Sequence, residues 1–474
     1  MTSTTALLGL LVSVAAQPPS SAPDRWTVQV HYTPQDRETG RYQYVPVDVP
    51  AGATRLTIDL RYDRGGGANV VDLGLFEPGP LDLGTPAFRG WSGGERAGVT
   101  ITPSFATPGY WPGPIPAGRW HVMLGLYKVA DAGVDVELRA EAGYEPAGPV
   151  PALFARPRGP LRRGAAWYSG GLHLHTAHSD GTLNAVSLAR RAREAGLDFI
   201  AITDHNNTVH QLEPLEDDGL LRIVGEEVTT PGGHVNVIGL GGARDYVDFR
   251  AGPADPRLAA LLQAAAERGA LVAVNHPTAD CLGCDWGGPV PPAAHAIEIV
   301  NPGQPKQQQA IDLWDRLLRE GRRIVAVGTA DWHRAPAPID TASVRVWADE
   351  LSTPAILRGI REGRVVVMAD GRTPPPELTV RLGSVAAAVG DTVKLRRGQR
   401  YGVEVAARGA AYEGARVALM WDGAPAGQAV LTGGAPLRLT RRADRAGYLR
   451  AHVWRKDGQP LAITNPIWIA VDPR

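Results

Sequence analysis

Between residues 24 and 145 apolar and polar positions alternate with a period of two. The runs Trp26 to Tyr32, Arg55 to Arg61, Arg119 to Tyr127 and Val134 to Ala140 read as strands. Gly/Pro-rich turns separate them, and no helical period is present. The pattern predicts a β-sandwich over 24–145. Residues 146–164, rich in Pro, Gly and Arg, read as a linker.

From residue 165 to 371 the pattern changes to strand-like runs alternating with helix-like runs. The stretch around His173 and His175 reads as a strand, Thr182 to Ala195 as a helix closed by Gly196, and the run ending at Asp204-His205 as a buried strand. Two strands follow, one carrying Glu227 and one opening at His234. Asp255 to Arg268 and Lys306 to Glu320 read as helices, and further strands end near His276, Asn301 and His333. Such alternation predicts a mostly parallel sheet or barrel. After Thr373-Pro374-Pro375-Pro376, short alternating strands return (Tyr401 to Ala406, Arg416 to Met420, Tyr448 to Trp454), which predicts a second sandwich over 377–474.

Composition narrows the function. Lys+Arg and Asp+Glu are both 49, so the chain lacks the basic excess of a nucleic-acid binder, and nucleic acid is not an expected partner. Two cysteines exclude a disulfide scaffold and a four-thiolate zinc site. No apolar run approaches the ~20 residues of a membrane span. Residues 1–23 read as an export signal and tail. Ala6 to Ala16 is apolar, and Val14 and Ala16 stand at −3 and −1 of a cleavage point before Gln17, although the first five residues carry no Lys or Arg. A periplasmic or secreted location is the expectation.

Nine of the twelve histidines fall between His173 and His333, about a third of the chain. His173 and His175 are two apart and share one strand face. Asp180 follows in a turn, and Asp204, His205, Glu227, His276, Asp331 and His333 gather at or after strand ends. In a βα barrel those ends converge on one mouth. Imidazoles and carboxylates packed together there require cations, and the mixture suits Zn, Mn or Fe. Any one of these short motifs is weak evidence alone.

The ordered set is specific. His173-Leu174-His175, Ser179-Asp180-Gly181, Thr203-Asp204-His205-Asn206, Gly225-Glu226-Glu227, His234, Asn275-His276-Pro277 and Asp331-Trp332-His333 resemble the PHP (polymerase and histidinol phosphatase) superfamily. The extra domains resemble its CehA/McbA-type metallohydrolases, a branch that includes carbaryl hydrolases. The resemblance covers about residues 165–371 and implies a distorted βα barrel, flanked here by two sandwiches, with two or three divalent ions. It implies that His173, His175 and Asp331 bind a first metal, that Glu227 bridges to a second held by His234 and His276, and that Asp180, His205 and His333 hold a third. Glu226 would face away, and Asp204 would orient a ligand imidazole or cap a strand end.

Metal-activated water is the implied nucleophile, with Asp331 as its proton acceptor. His178 is a candidate general acid and Arg334 a candidate anion clamp, and both are equally readable as solvated neighbours. The expected substrate is a small-molecule phosphoester. A carboxylic ester, amide or carbamate is the alternative, and a non-catalytic surface or glycan-binding protein is the alternative of another class. Cys281 and Cys284 read as a loop staple or idle thiols. Trp286 and Trp332 line the mouth or pack beneath it, and Glu298 and Asn301 bond a ligand or close the barrel. Trp91, Tyr110 and Trp111 form a glycan platform, core packing or a shield over the mouth.

Overall fold

The computed structural model describes residues 23–153, 159–214, 218–280, 283–302 and 306–472. The segment read as an export signal and Cys281 lie outside the described residues.

The N-terminal strands form two antiparallel sheets. One runs in the order Asp24–Tyr32, Val134–Gly143, Arg55–Tyr62, Gly98–Ile101, and the other Tyr42–Val49, Gly118–Lys128, Val70–Phe76, Phe88–Trp91. In the first sheet, alternation places Leu56, Ile58 and Leu60 inside while Asp59 and Arg61 face solvent. The second sheet is buried on both faces. Val71, Leu73 and Leu75 fill the sandwich. Phe76, Phe88, Trp91 and Met123 instead join a core shared with Val235, Tyr246 and Phe249 of the central region. A strand buried on both faces loses clean alternation, which is why Val70–Phe76 carries no simple period.

The central sheet is mixed. Arg162–Gly171, which begins inside the expected linker, pairs in parallel with Phe199–Ile202, and that strand with Leu221–Thr230. Leu221–Thr230 and Gly233–Ile238 then form a hairpin, and Gly233–Ile238 pairs antiparallel with Leu271–Val274. Parallel pairing resumes through Ala296–Val300 to Val325–Gly328. On the other flank, Ser343–Leu351 and Val365–Met368 are antiparallel additions. The mostly parallel sheet expected from alternation is therefore half antiparallel. The reason is local: only Pro231-Gly232 joins the two hairpin strands, and a parallel return needs a crossover of a dozen residues or more.

The end strands of this series lie side by side, bridged by one side chain. The Asn465 amide accepts from the Ala326 N–H at 2.8 Å and donates to the carbonyls of Ala326 and Val365 at 2.8 and 3.0 Å. Four helices pack around the sheet. Ala185–Glu194, capped by Asn184, Pro256–Glu267, capped by Asp255, and Gln307–Arg319 lie within the expected spans. Thr353–Arg361 was not expected. Ser352 caps it, Pro354 is in its first turn, and Ile356, Leu357 and Ile360 enter the core of the sheet.

The C-terminal region repeats the two-sheet plan, with Val385–Ala387, Glu377–Leu382, Arg400–Ala406 and Leu437–Arg442 in one sheet. The other sheet continues the central one without a break, because Pro460–Thr464 pairs with Val365–Met368. Among the described residues no helix is long and apolar enough to cross a membrane.

Candidate metal centre

Six imidazoles and three carboxylates meet at one end of the central sheet. Glu227, fully buried near the end of Leu221–Thr230, lies within ion-pair distance of five imidazoles. Its Oε1 is 3.2 Å from His173 Nε2, 3.1 Å from His234 Nδ1 and 3.2 Å from His276 Nε2. Its Oε2 is 3.4 Å from His175 Nε2 and 2.9 Å from His205 Nδ1. Asp331 Oδ1 stands 3.2 and 3.3 Å from the Nε2 atoms of His173 and His175. Asp180 reaches His175, His205 and His333 at 3.8, 3.7 and 3.3 Å. All nine expected ligands thus form one cluster.

The backbone is shaped to bring them in. The strand expected around His173 and His175 ends at Gly171, and the pair sits just beyond it, held by a bridge from Leu174 to Trp332. Asn206, His276 and Asp331 adopt positive φ angles of 53°, 23° and 45°, a region that costs non-glycine residues energy. Three such residues at one cluster mark a site over-determined by its surroundings.

The donor set fits divalent cations. His173 Nε2, His175 Nε2 and Asp180 Oδ1 are buried and, among the described residues, have no hydrogen-bond partner. The two imidazole nitrogens lie near carboxylate oxygens but are aligned with none of them as donors, the arrangement expected of groups that converge on an ion. Within the cluster, three sets place their ligand atoms within 4.8 Å of one another: His175, Asp180, His205 and His333; His173, His175 and Glu227; His205, Glu227 and His234. Burial opposes charge on Glu227, yet His173 and His205 hold its carboxyl well below the usual range. Burial also lowers His234 to about 4, leaving a neutral ring at pH 7.

Supporting side chains fix the ligands. Glu298 accepts from Thr329 Oγ1 at 2.7 Å and from the His276 N–H at 2.7 Å, and contacts His173 Nδ1 at 2.8 Å. A proton on Nδ1 there leaves the His173 Nε2 lone pair for the cluster. Asn301 donates to Glu298 and lies 3.4 Å from Asp331 Oδ2. Asp204 touches no expected ligand ring. It accepts from the Thr176 N–H and Oγ1 and from Ser179 Oγ, tying down the loop whose Ser179 contacts His175. Glu226 faces the opposite side, accepts from the Val247 N–H, and is raised to about 8 by burial.

Several residues sit elsewhere than their neighbours in sequence suggest. His178 accepts from the Gly109 N–H through Nδ1, so its Nε2 donates to Glu213 at 2.9 Å, and both nitrogens are engaged outside the cluster. Arg334 is exposed. Trp332 is 1 % exposed in the core under helix Ala185–Glu194, and Trp286 packs against Gly233. Cys284 is disulfide-bonded. Tyr110, Trp111 and Trp91 are core residues, and Trp91 also lines a cleft of about 300 Å³ beside the cluster. That cleft is also lined by Arg41, Tyr42, Asp72 and Tyr127 of the N-terminal sandwich, and by Asp180, His205 and His234.

Sequence reasoning missed Asn275, which donates to Glu227 Oε1 at 2.8 Å, and His210, which contacts Asp204 at 3.1 Å. Asn275 directly precedes His276 and was discoverable. Arg41 and Asp72 carry no local signal, because only the fold brings them to the cluster.

No curated protein matches the chain. Among solved structures, a two-domain protein from Bacteroides vulgatus, described as containing a predicted PHP-like metal-dependent phosphoesterase, is 17 % identical with a TM-score of 0.38. The match covers 66 % of this chain and 100 % of that one. A superoxide reductase (neelaredoxin) from Ignicoccus hospitalis is 14 % identical over 20 % of this chain and 81 % of its own, at a TM-score of 0.16. A family two carbohydrate esterase from Cellvibrio japonicus is 11 % identical over 67 % and 82 %, at 0.14. Residues 171–270, which hold His173, His175, Asp180, His205, Glu227 and His234, match the PHP domain family, and this part of the chain carries a PHP domain.

Proposed function

We propose that the chain is a metal-dependent hydrolase of small-molecule phosphoesters, built on a distorted βα barrel of the CehA/McbA type. One observation carries the reading: a single buried carboxylate, Glu227, is ringed by five imidazoles, two of which turn unpartnered Nε2 atoms toward the cluster. His173, His175 and Asp331 would hold one ion, Glu227 would bridge to a second at His234 and His276, and Asp180, His205 and His333 would hold a third. Zn, Mn or Fe bound there supplies Lewis-acid polarisation and makes water more acidic.

The protein's own contribution is placement. Glu298 fixes the His173 ring and the His276 backbone, and Asp204 fixes the loop from Thr176 to Ser179. Asp331 Oδ2, beside Asn301, takes the proton that the attacking water gives up. The N-terminal sandwich walls the cleft and limits solvent at the cluster. Export from the cytoplasm is part of the same proposal. The apolar N-terminal segment and the disulfide at Cys284 support it, since disulfides persist in oxidising compartments. Mature protein that still begins at Met1 would remove that part.

The test is hydrolysis by the Mn- and Zn-loaded chain of matched nitrophenyl substrates: phosphomonoester, phosphodiester, carboxylic ester and carbamate. Asp331→Asn runs beside it. Phosphoester turnover that disappears in the variant supports the proposal. Ester or carbamate turnover that disappears there replaces the substrate class. No turnover of any member points to a binding protein built on the same scaffold.

A further inference from the structure

The cleft beside the histidine–carboxylate cluster holds two opposite charges, Asp72 and Arg41, that are unpaired among the described residues. Asp72 lies on Val70–Phe76, on the face it shares with Gly74 and Phe76, which is turned to the central region. It is 9 % exposed and, among the described residues, its carboxyl group makes no hydrogen bond or ion pair. Gly125 makes room for it, since a Cβ there would stand 2.7 Å from Asp72 Oδ2. Arg41, half-buried at the rim, likewise has no hydrogen bond or ion pair from its guanidinium. Arg41 is the charge that acts on Asp72, yet burial dominates and pushes the Asp72 carboxyl up to about 7.

Both groups line the same cleft as Asp180, His205 and His234, between the rings of Tyr42, Trp91 and Tyr127. The wall is firmly seated. Arg250 reaches across to Tyr44 Oη at 2.7 Å and to the Leu81 carbonyl at 3.0 Å, and Phe249 packs against both Tyr42 and Trp91.

Leaving a buried carboxylate unpaired beside a half-buried guanidinium is costly, so a ligand that pairs both is favoured. A second anionic group would suit Arg41 but be repelled by Asp72. An ammonium group would suit Asp72 but be repelled by Arg41. An apolar aryl group would satisfy neither. Hydroxyl groups donate to a carboxylate and accept from a guanidinium, and they span a gap too wide for direct ion pairing. The aromatic rings suit the CH face of a compact ring.

We propose that Arg41 and Asp72 bind the hydroxyl groups of a sugar or polyol whose ester is presented to the metal cluster. The N-terminal sandwich thereby sets substrate class. This rests on the hydrolase reading, and the test separates the two.

The metal-loaded full chain is assayed on glucose 6-phosphate, ribose 5-phosphate and phenyl phosphate, as wild type, Arg41→Ala, Asp72→Ala and Asp72→Asn, with thermal melts to verify folding. The readout is the ratio of kcat/KM for a sugar phosphate to that for phenyl phosphate. We expect this ratio to fall at least about 10-fold in Asp72→Ala and in Arg41→Ala, mainly through KM, as for the loss of a hydrogen bond to a charged group. Ratios within about threefold of wild type overturn the subsite. Wild type that hydrolyses none of the three contradicts the phosphoester reading, and calorimetric titration with glucose 6-phosphate then decides the subsite. Saturable binding that weakens about 10-fold in Asp72→Ala upholds it, and no saturable binding to wild type overturns it.

Discussion

The two flanking sandwiches look alike in sequence but join the central region in opposite ways. The C-terminal one joins through backbone: Pro460–Thr464 extends the central sheet, and the seam is closed by a buried pair, Arg450 Nε to Asp315 Oδ1 at 3.2 Å, with Tyr448 donating to the same carboxylate. At that seam the buried Asp315 carboxylate is met by both Arg450 and Tyr448. The N-terminal sandwich joins through side chains, packing Phe76, Phe88 and Trp91 against Tyr246 and Phe249 beside the metal cluster. Its seam leaves a cleft, and in that cleft the side chains of Asp72 and Arg41 have, among the described residues, no hydrogen-bond or ion-pair partner. One seam is built for stability, and the other gives up stability at a place where a ligand fits. Substitutions on the two sides should therefore separate activity from folding.

The largest effect is expected on the cleft side at the cluster itself. Glu227→Gln should lower turnover by at least about 1,000-fold and reduce bound metal, measured by kinetics and atomic emission on the same sample. At the C-terminal seam, Asp315→Ala strands the fully buried Arg450 and should cost about 3–5 kcal/mol in urea unfolding, with kcat/KM unchanged. A loss of activity without a loss of stability there would break the contrast.

Asp72→Asn should act the other way, because the folded chain holds this carboxyl protonated to about pH 7 while the unfolded chain ionises it in the ordinary carboxylate range. The stability cost of Asp72 is thus absent below about pH 4, grows as pH rises, and levels off above about pH 7. The variant should gain about 2–4 kcal/mol at pH 7.5 and nothing at pH 3.5. A variant less stable than wild type at pH 7.5 would mean that Asp72 is paired. Glu298→Gln should weaken metal affinity by about 10- to 100-fold, read by chelator competition, while leaving the fold intact. Arg334→Ala, at an exposed position, should leave kcat and KM within about twofold. A larger change would restore it as an anion clamp.

The cluster was legible because its ligands stand in short motifs that a strand end presents together. His173 with His175, Asp204 with His205, and Asp331 with His333 needed no long-range information. The sheet was less legible. Leu221–Thr230 and Gly233–Ile238 announced two strands, but their antiparallel pairing rests on a two-residue connection that the alternation of strands and helices obscured. Helix Thr353–Arg361 was marked by Ser352 and Pro354, but its nine residues give too few turns for a helical period to stand out. The cleft wall was beyond reach. Arg41 and Asp72 are separated from His205 by more than a hundred residues, and an isolated Asp in a strand pattern gives no sign of which buried face it occupies.

The central claim is that the cluster is a working metal centre. Bound metal per chain, measured by atomic emission after Mn or Zn saturation and gel filtration, tests it most directly. The account predicts two to three ions per wild-type chain and fewer than one in a Glu227→Gln, Asp331→Asn double variant. Fewer than one ion per wild-type chain, in protein that melts cooperatively, would contradict it.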